Sequence, residues 1–133
     1  MTNPYAPSAS HLVFVYGTLK RGFANDHFLR GQTFRGEART PAGFRLYRIS
    51  DYPGLVADRA DTAGVGGEIW EIDGPCLRRL DALEGLKEGL YTREPIPLLE
   101  LFATELVIAY FYARDLAGHD AISGDWQEFR RRR

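Results

Sequence analysis

The stretch at residues 11–22 constrains the fold of this chain most strongly. Every residue from 12 to 16 is apolar or aromatic, which is typical of a strand covered on both faces. Gly17 then interrupts the run, and glycine lets the backbone turn and expose its peptide N–H groups at the end of the strand. Such groups can bind a carboxylate or another anion. The sequence therefore predicts a core strand followed by either a plain turn or an anion-binding loop.

This loop lacks the signatures of nucleotide-binding loops. Its sequence has no Gly-Lys-Ser/Thr ending, and it does not contain the three-glycine fingerprint of dinucleotide-binding folds. Lys20 and Arg21 follow a leucine, and their positive charges could either steer an anion or point outward. Both alternatives stay open at the level of sequence.

Length and charge exclude several classes of protein. A chain of 133 residues forms one domain large enough to bury a core without disulfides. With 17 basic and 18 acidic residues the net charge is −1, which predicts no binding to nucleic acid or to an anionic membrane. One cysteine cannot form an internal disulfide, and no apolar run is long enough to span a bilayer. We therefore expect a cytoplasmic protein that binds a small molecule.

The chain divides into a body and two short ends. Residues 1–10 contain two prolines and lack the charged and apolar regions of a signal peptide, which predicts a flexible leader. Residues 130–133 are all arginine, and without interleaved aromatic residues they indicate a solvated basic tail. A single domain is predicted over residues 11–129. Near its end, Trp126 could pin the C-terminal segment through a buried indole ring.

Apolar periodicity predicts six to seven strands and two short helices. Two strands joined by a turn at 41–43 are expected within residues 32–50, and a short helix is expected at 24–31. Further strands are expected at residues 55–57, 65–72, 91–101 and 104–113. The predicted fold is an α+β domain with a mostly β core.

Residues 75–84 carry the strongest helix signals. Asp73 is a good N-cap, Pro75 suits the first turn, and Gly85 suits the end. At helical spacing, apolar residues share one stripe and Arg78 and Arg79 lie opposite. The stripe contains Cys76, Leu77, Leu80 and Leu83.

Glu84 falls inside this apolar stripe, four residues after Leu80. A carboxylate desolvated beside leucines has a raised pKa, as a proton-transfer group requires. Alternatively, Glu84 turns into water, caps the helix or pairs with Arg93, and a permanent pair with Arg93 would lower its pKa. Asp81, at the edge of the stripe, is a rival, as are Glu68, Glu71 and Glu88.

Other reactive residues are weaker candidates. The three histidines, at positions 11, 27 and 119, show no ligand spacing, so no metal site is predicted. Cys76 lies on the apolar stripe, where a buried and unreactive thiol is the usual role. No Gly-x-Ser-x-Gly nucleophile elbow occurs.

Four segments resemble the γ-glutamylcyclotransferase-like family. They are Phe-Val-Tyr-Gly-Thr-Leu-Lys-Arg-Gly at 14–22, Gly-Glu-Ile-Trp-Glu-Ile at 67–72, Leu-Asp-Ala-Leu-Glu-Gly at 80–85 with Tyr-Thr-Arg at 91–93, and Ala-Tyr-Phe-Tyr at 109–112. The resemblance implies a small mixed β-barrel with short flanking helices. It also implies that Glu84 is the catalytic acid/base.

The implied reaction releases an amine or amino acid from a γ-glutamyl compound and forms 5-oxoproline, without a metal or other cofactor. We expect the backbone amides of Gly17, Thr18 and Leu19 to hold the substrate carboxylate, and Tyr16 and Tyr91 to shape the pocket. A hydrolase would use the same groups with water as the attacking nucleophile. A non-catalytic binding module would keep the loop but would not need Glu84. The oligomeric state stays open.

Overall fold

The computed structural model describes residues 3–127. The strands are β1 (Ser10–Val15), β2 (Thr33–Arg39), β3 (Phe44–Arg48), β4 (Pro53–Ala57), β5 (Gly66–Asp73), β6 (Tyr91–Pro95), β7 (Val107–Tyr112) and β8 (Asp120–Ala121). A single α-helix among these residues, α1 (Gly74–Leu83), follows β5, and short 3₁₀ turns lie at Asp26–Leu29 and Glu100–Phe102. The predicted α+β class with a mostly β core is confirmed.

The strands form one mixed sheet in the order β2-β5-β1-β7-β4-β3-β8, and β6 pairs with β7. The two ends of this path, β2 and β8, do not pair with each other within residues 3–127. The sheet is therefore not closed, and the predicted barrel describes it only loosely. Closure depends on which strands meet across the sheet, and an alternation pattern in single strands does not contain that information.

Strand β7 is the centre of the sheet and explains where a cleft opens. β6 runs antiparallel along one edge of β7, from Tyr91 opposite Tyr112 to Pro95 opposite Ile108. The other edge is shared, because β1 pairs in parallel with the start of β7 and β4 pairs in parallel with its end. β1 and β4 thus separate from each other along β7, and the chain leaving β1 enters the gap between them.

Two apolar clusters cover the two faces of β1. Phe14 and Tyr16 belong to one cluster, whereas Val13 and Val15 belong to the other, which includes the buried face of α1. Phe14 and Val13 are completely buried. The prediction of a strand covered on both faces is confirmed, and β1 fixes the position of the loop that follows it.

The helix α1 begins and ends as its sequence predicts. The side chain of Asp73 accepts a hydrogen bond of 2.9 Å from the Cys76 backbone N–H, which is the N-cap interaction. Gly85 has a φ of 67°, a left-handed conformation that favours glycine and ends the helix. Cys76, Leu77 and Leu80 are fully buried, while the opposite face is exposed.

Several strand boundaries differ from the expectation. β2 and β3 are consecutive but lie near opposite ends of the sheet, since β2 pairs with β5 and β3 pairs with β4. The strand expected at 91–101 ends at Pro95, and the helix expected at 24–31 is only a 3₁₀ turn. β8 was not predicted. Trp126 is 2% exposed, so the predicted buried indole is confirmed.

The structure describes the N-terminal segment from residue 3 onward, but it does not describe the predicted C-terminal tail. Tyr5 and Ala6 lie against α1: the hydroxyl of Tyr5 donates to Asp81, and a Cβ at Gly74 would collide with the Ala6 carbonyl. The predicted basic tail at 130–133 lies outside the described residues. Across the described part of the chain, no helix has the length and hydrophobicity that a bilayer span requires.

Candidate active site

A cleft of about 290 Å³ opens at the carboxyl end of β1, where β1 and β4 separate. Its walls come from the loop after β1, the turn between β3 and β4, the end of α1, and strands β6 and β7. Its lining includes Tyr16, Gly17, Thr18, Leu19, Asn25, Asp51, Tyr52, Pro53, Glu84, Leu90, Tyr91 and Tyr110. All six residues that the sequence singled out for the site line this one cleft.

Glu84 is the C-cap residue of α1, and its carboxyl group faces the cleft. Burial raises its pKa from 4.5 to about 7, because desolvation disfavours the charged form. The side chain forms no ion pair with any residue in the range 3–127. Near neutral pH, the carboxyl can therefore both accept and release a proton.

The tyrosines of the cleft surround this carboxyl. The negative charge of Glu84 contributes to raising the pKa of Tyr16, Tyr91 and Tyr110, although burial is the larger cause in each case. Glu84 thus lies within electrostatic reach of all three phenols. Because their pKa values lie above 10, these side chains stay neutral at physiological pH.

The hydroxyls of Tyr16 and Tyr91 hold the backbone that forms the cleft. Tyr16 donates a hydrogen bond of 2.6 Å to the Tyr110 carbonyl, and Tyr91 donates one of 2.6 Å to the Pro53 carbonyl. Both side chains are buried, at 7% and 3% exposure. Each residue is therefore a core aromatic with a satisfied hydroxyl and also part of the cleft wall.

The loop after β1 contains unpaired amides in three residues that line the cleft. No protein acceptor in the described part of the chain takes a hydrogen bond from the backbone N–H of Gly17, Thr18 or Leu19. The loop is held in shape by other contacts: Asn25 donates to the Thr18 hydroxyl at 2.9 Å, and Lys20 N–H donates to the Gly17 carbonyl. Consecutive unpaired N–H groups are typical of an anion-binding loop.

Position 17 requires glycine because the ring of Pro53 packs closely against it. A Cβ added to Gly17 would lie 2.7 Å and 2.8 Å from ring carbons of Pro53. Pro53 begins β4, so this contact fixes the loop against the opposite wall of the cleft. The side chain of residue 17 must be absent for the two walls to pack.

Arg93 does not approach Glu84, and the suggestion that it orients or pairs with that carboxylate was wrong. Its Nε donates to Oδ1 of Asp81 at 3.0 Å. Asp81, which is 7% exposed, also accepts hydrogen bonds from the hydroxyls of Tyr5 and Tyr110. The carboxylate of Asp81 is thus fully engaged in holding the leader, β6 and β7 to α1.

The two cations of the loop point away from the cleft. Arg21 pairs with Glu68 at 3.1 Å and lies over the ring of Phe34. Lys20 donates to the Trp126 carbonyl at 3.3 Å. Neither side chain lines the cleft, so neither is placed to bind an anion there.

Sequence reasoning missed several residues of the cleft wall. Asp51, Tyr52 and Pro53 lie between predicted strands, and Asn25 lies within the helix expected at 24–31, so no sequence feature marked them as site residues. Tyr110 was predicted as a core residue of β7, and its carbonyl and hydroxyl both anchor cleft elements. In the range 3–127, no group of three His, Cys, Asp or Glu side chains is arranged to hold a metal ion.

Comparison with known proteins agrees with this geometry. The family model described as gamma-glutamyl cyclotransferase, AIG2-like matches residues 13–128. A Vibrio cholerae protein is 37% identical over 117 residues, which cover 87% of this chain and 95% of that protein. The gamma-L-glutamyl-butirosin B gamma-glutamyl cyclotransferase of Niallia circulans is 31% identical over 123 residues, covering 89% and 76% of the two chains.

A solved structure shows the same fold. The crystal structure of an AIG2-like protein from mouse superposes with a TM-score of 0.65 at 31% identity, covering 79% of this chain and 77% of that one. The family match at residues 13–128 contains the loop after β1, α1 and β7. The chain therefore belongs to the gamma-glutamyl cyclotransferase, AIG2-like family.

Proposed function

We propose that this protein converts a γ-glutamyl compound into 5-oxoproline and releases the attached amine, with Glu84 as general base and then general acid. The observation that carries the proposal is a carboxyl group of raised pKa, about 7, in the same cleft as three unpaired backbone amides. The family supports a cyclotransferase-type enzyme. The name of the Niallia circulans relative describes this same class of reaction.

The substrate would bind through its glutamyl end. Its α-carboxylate is an anion, and the backbone N–H groups of Gly17, Thr18 and Leu19 are the donors that fit it. The tyrosine-lined wall formed by Tyr16 and Tyr91 would pack against the methylene groups between the α-carbon and the γ-carbonyl. This pose brings the α-amine toward Glu84.

The reaction then consists of one bond exchange and two proton transfers. The α-ammonium gives a proton to the Glu84 carboxylate, and the resulting amine attacks the γ-carbonyl carbon to close a five-membered ring. The bond between that carbon and the departing nitrogen then breaks. Overall, two protons leave the α-nitrogen and two reach the departing nitrogen, so Glu84 takes up and releases one proton at a time. No water is consumed.

Intramolecular attack makes orientation an important part of the rate. Well-oriented intramolecular reactions reach effective molarities of about 10⁵–10⁸ M. A loop that fixes the α-carboxylate therefore contributes by limiting rotation of the flexible glutamyl chain. Proton transfer by Glu84 would add roughly 10²–10⁴-fold.

The test is incubation with a panel of γ-glutamyl amines and γ-glutamyl dipeptides, followed by identification of the product. Formation of 5-oxoproline by the wild-type protein, with a loss of at least 100-fold in Glu84→Gln, is expected. Glu88→Gln is the matched control, because Glu88 is exposed and lies outside the cleft lining. Release of glutamate instead of 5-oxoproline would assign a hydrolase, and binding without turnover would assign a non-catalytic module.

A further inference from the structure

The cleft contains two carboxylates and no basic side chain among the described residues that line it. Glu84, at the end of α1, is half-buried, whereas Asp51, in the turn between β3 and β4, is exposed, and we take the side at Asp51 as the mouth of the cleft. Asp51 is exposed and forms no ion pair within residues 3–127. A ligand that reaches the mouth therefore meets a carboxylate that has no ion-pair partner among the described residues.

Three cationic side chains on neighbouring segments contact other groups. The guanidinium of Arg114 donates to the backbone carbonyls of Glu88 and Gly89, and its charge opposes the rise in the pKa of Tyr52. Lys20 and Arg21 contact Trp126 and Glu68, as described above. None of the three cations lines the cleft, so a second carboxylate on the substrate would have no cationic side chain to pair with there.

The two ends of the proposed substrate meet different surroundings. The glutamyl end occupies the buried part of the cleft, where Tyr16, Leu19 and Tyr91 are each less than a tenth exposed. The leaving amine must extend the other way, toward the exposed mouth at Asp51. The side chains of Tyr52 and Leu90 line the same cleft and offer apolar contact to an alkyl chain.

From this charge distribution we infer that the enzyme is selective for γ-glutamyl amines whose leaving group carries a second cation and no carboxylate, and that Asp51 is the residue that selects them. The inference rests on the proposed function. A γ-glutamyl amino acid would place its free carboxylate near Asp51, and the like charges would repel. A γ-glutamyl derivative of a diamine would place an ammonium there instead.

The expected size of the effect follows from the exposure of Asp51. Exposed ion pairs contribute little, and we expect a preference of about two- to fivefold for a cationic over a neutral leaving group. Repulsion by Asp51 should make a substrate with an anionic leaving group poorer than the neutral one by a factor of similar size. Both factors should shrink with added salt, because the Debye length falls from about 10 Å at 0.1 M to about 3 Å at 1 M.

The test compares three substrates whose leaving groups have similar length but different charge: the γ-glutamyl amides of 1,4-diaminobutane, n-pentylamine and 4-aminobutyrate. The value of kcat/KM for 5-oxoproline formation should fall in that order for the wild-type protein. In Asp51→Asn, the ratio between the cationic and the neutral substrate should fall to about one. Glu105→Gln, which removes an exposed negative charge outside the cleft lining, should keep the wild-type ratio.

The outcomes separate this inference from the proposed function. Equal kcat/KM for the three substrates, or an unchanged ratio in Asp51→Asn, would overturn the selectivity while leaving the cyclotransferase intact. Absence of 5-oxoproline from all three substrates would overturn both. The salt dependence of the wild-type ratio is a second readout that needs no variant, and a ratio constant between 0.05 and about 0.5 M salt would contradict a role for charge at the mouth.

Discussion

The guanidinium of Arg93 donates from Nε to Oδ1 of Asp81 at 3.0 Å, while Glu84, three residues further along the chain, has no cationic partner among residues 3–127. Because Arg93 pairs with Asp81 and not with Glu84, the Glu84 carboxyl has no cation from the described part of the chain beside it in the cleft. An opposite charge beside Glu84 would lower its pKa, whereas desolvation alone raises it to about 7. Asp81 thus holds Arg93, the arginine of β6, in a structural ion pair.

Asp81→Asn should destabilise the protein. Removing one partner of a buried ion pair costs roughly 3–5 kcal/mol, and we expect about 2–3 kcal/mol because the Arg93 side chain is 24% exposed. Urea unfolding measures the loss. The double variant Asp81→Asn/Arg93→Met should be more stable than Asp81→Asn alone, since it leaves no unpaired buried charge. A loss below about 0.5 kcal/mol in the single variant would contradict the role of Asp81.

Glu84→Gln should stabilise the protein in a pH-dependent way. In the wild-type protein the pKa of Glu84 is about 7 when folded and near 4.5 when unfolded, so between these values only the folded state keeps the proton. Wild-type stability therefore falls as pH rises from about 4.5 to 7 and then levels off. At 1.4 kcal/mol per unit, the advantage of the glutamine variant should approach about 3 kcal/mol above pH 7.

Unfolding of both proteins in urea at pH 4.5, 6 and 8 tests this linkage. Glu88→Gln serves as the control and should show no comparable pH-dependent gain. If the stability difference between the wild-type protein and Glu84→Gln is the same at all three pH values, Glu84 is not desolvated in the folded protein.

Gly17→Ala should impair activity by moving the loop. The new methyl group would lie within 2.8 Å of the Pro53 ring, so the loop or the start of β4 must shift. Displacement of about 1 Å can cost up to 10²-fold in rate, and we expect kcat/KM to fall at least tenfold. Truncation of the ring in Gly17→Ala/Pro53→Ala should restore part of the loss. Wild-type activity in the single variant would show that the contact does not position the loop.

Local chemistry made much of this fold predictable. The caps of α1 and its apolar stripe depend on residues within a few positions of each other, and Asp73, Leu80 and Gly85 behave as their sequence indicates. The burial of β1 on both faces follows from its unbroken apolar run. The loop at Gly17 was predictable as a break in the strand, and the motifs at residues 14–22 and 80–85 indicated the family.

What could not be predicted depends on contacts between distant segments. Asp81 and Glu84 lie three residues apart, and only the packing of β6 against β7 determines which of them Arg93 reaches. The cleft wall at Asp51 arises because β4 joins the end of β7 while β1 pairs with its start. The residues of the turn at 50–52 show no pattern from which the packing of this turn beside the loop after β1 could be predicted.

The pH dependence of 5-oxoproline formation tests most directly whether Glu84 carries the proton. For the wild-type protein acting on a γ-glutamyl amine, kcat/KM should fall about tenfold per pH unit below an inflection near pH 7, where Glu84 loses its base form. In Glu84→Gln the residual rate should be at least 100-fold lower and should lack this inflection. A glutamine variant that forms 5-oxoproline at the wild-type rate, with the same pH profile, would contradict the assignment.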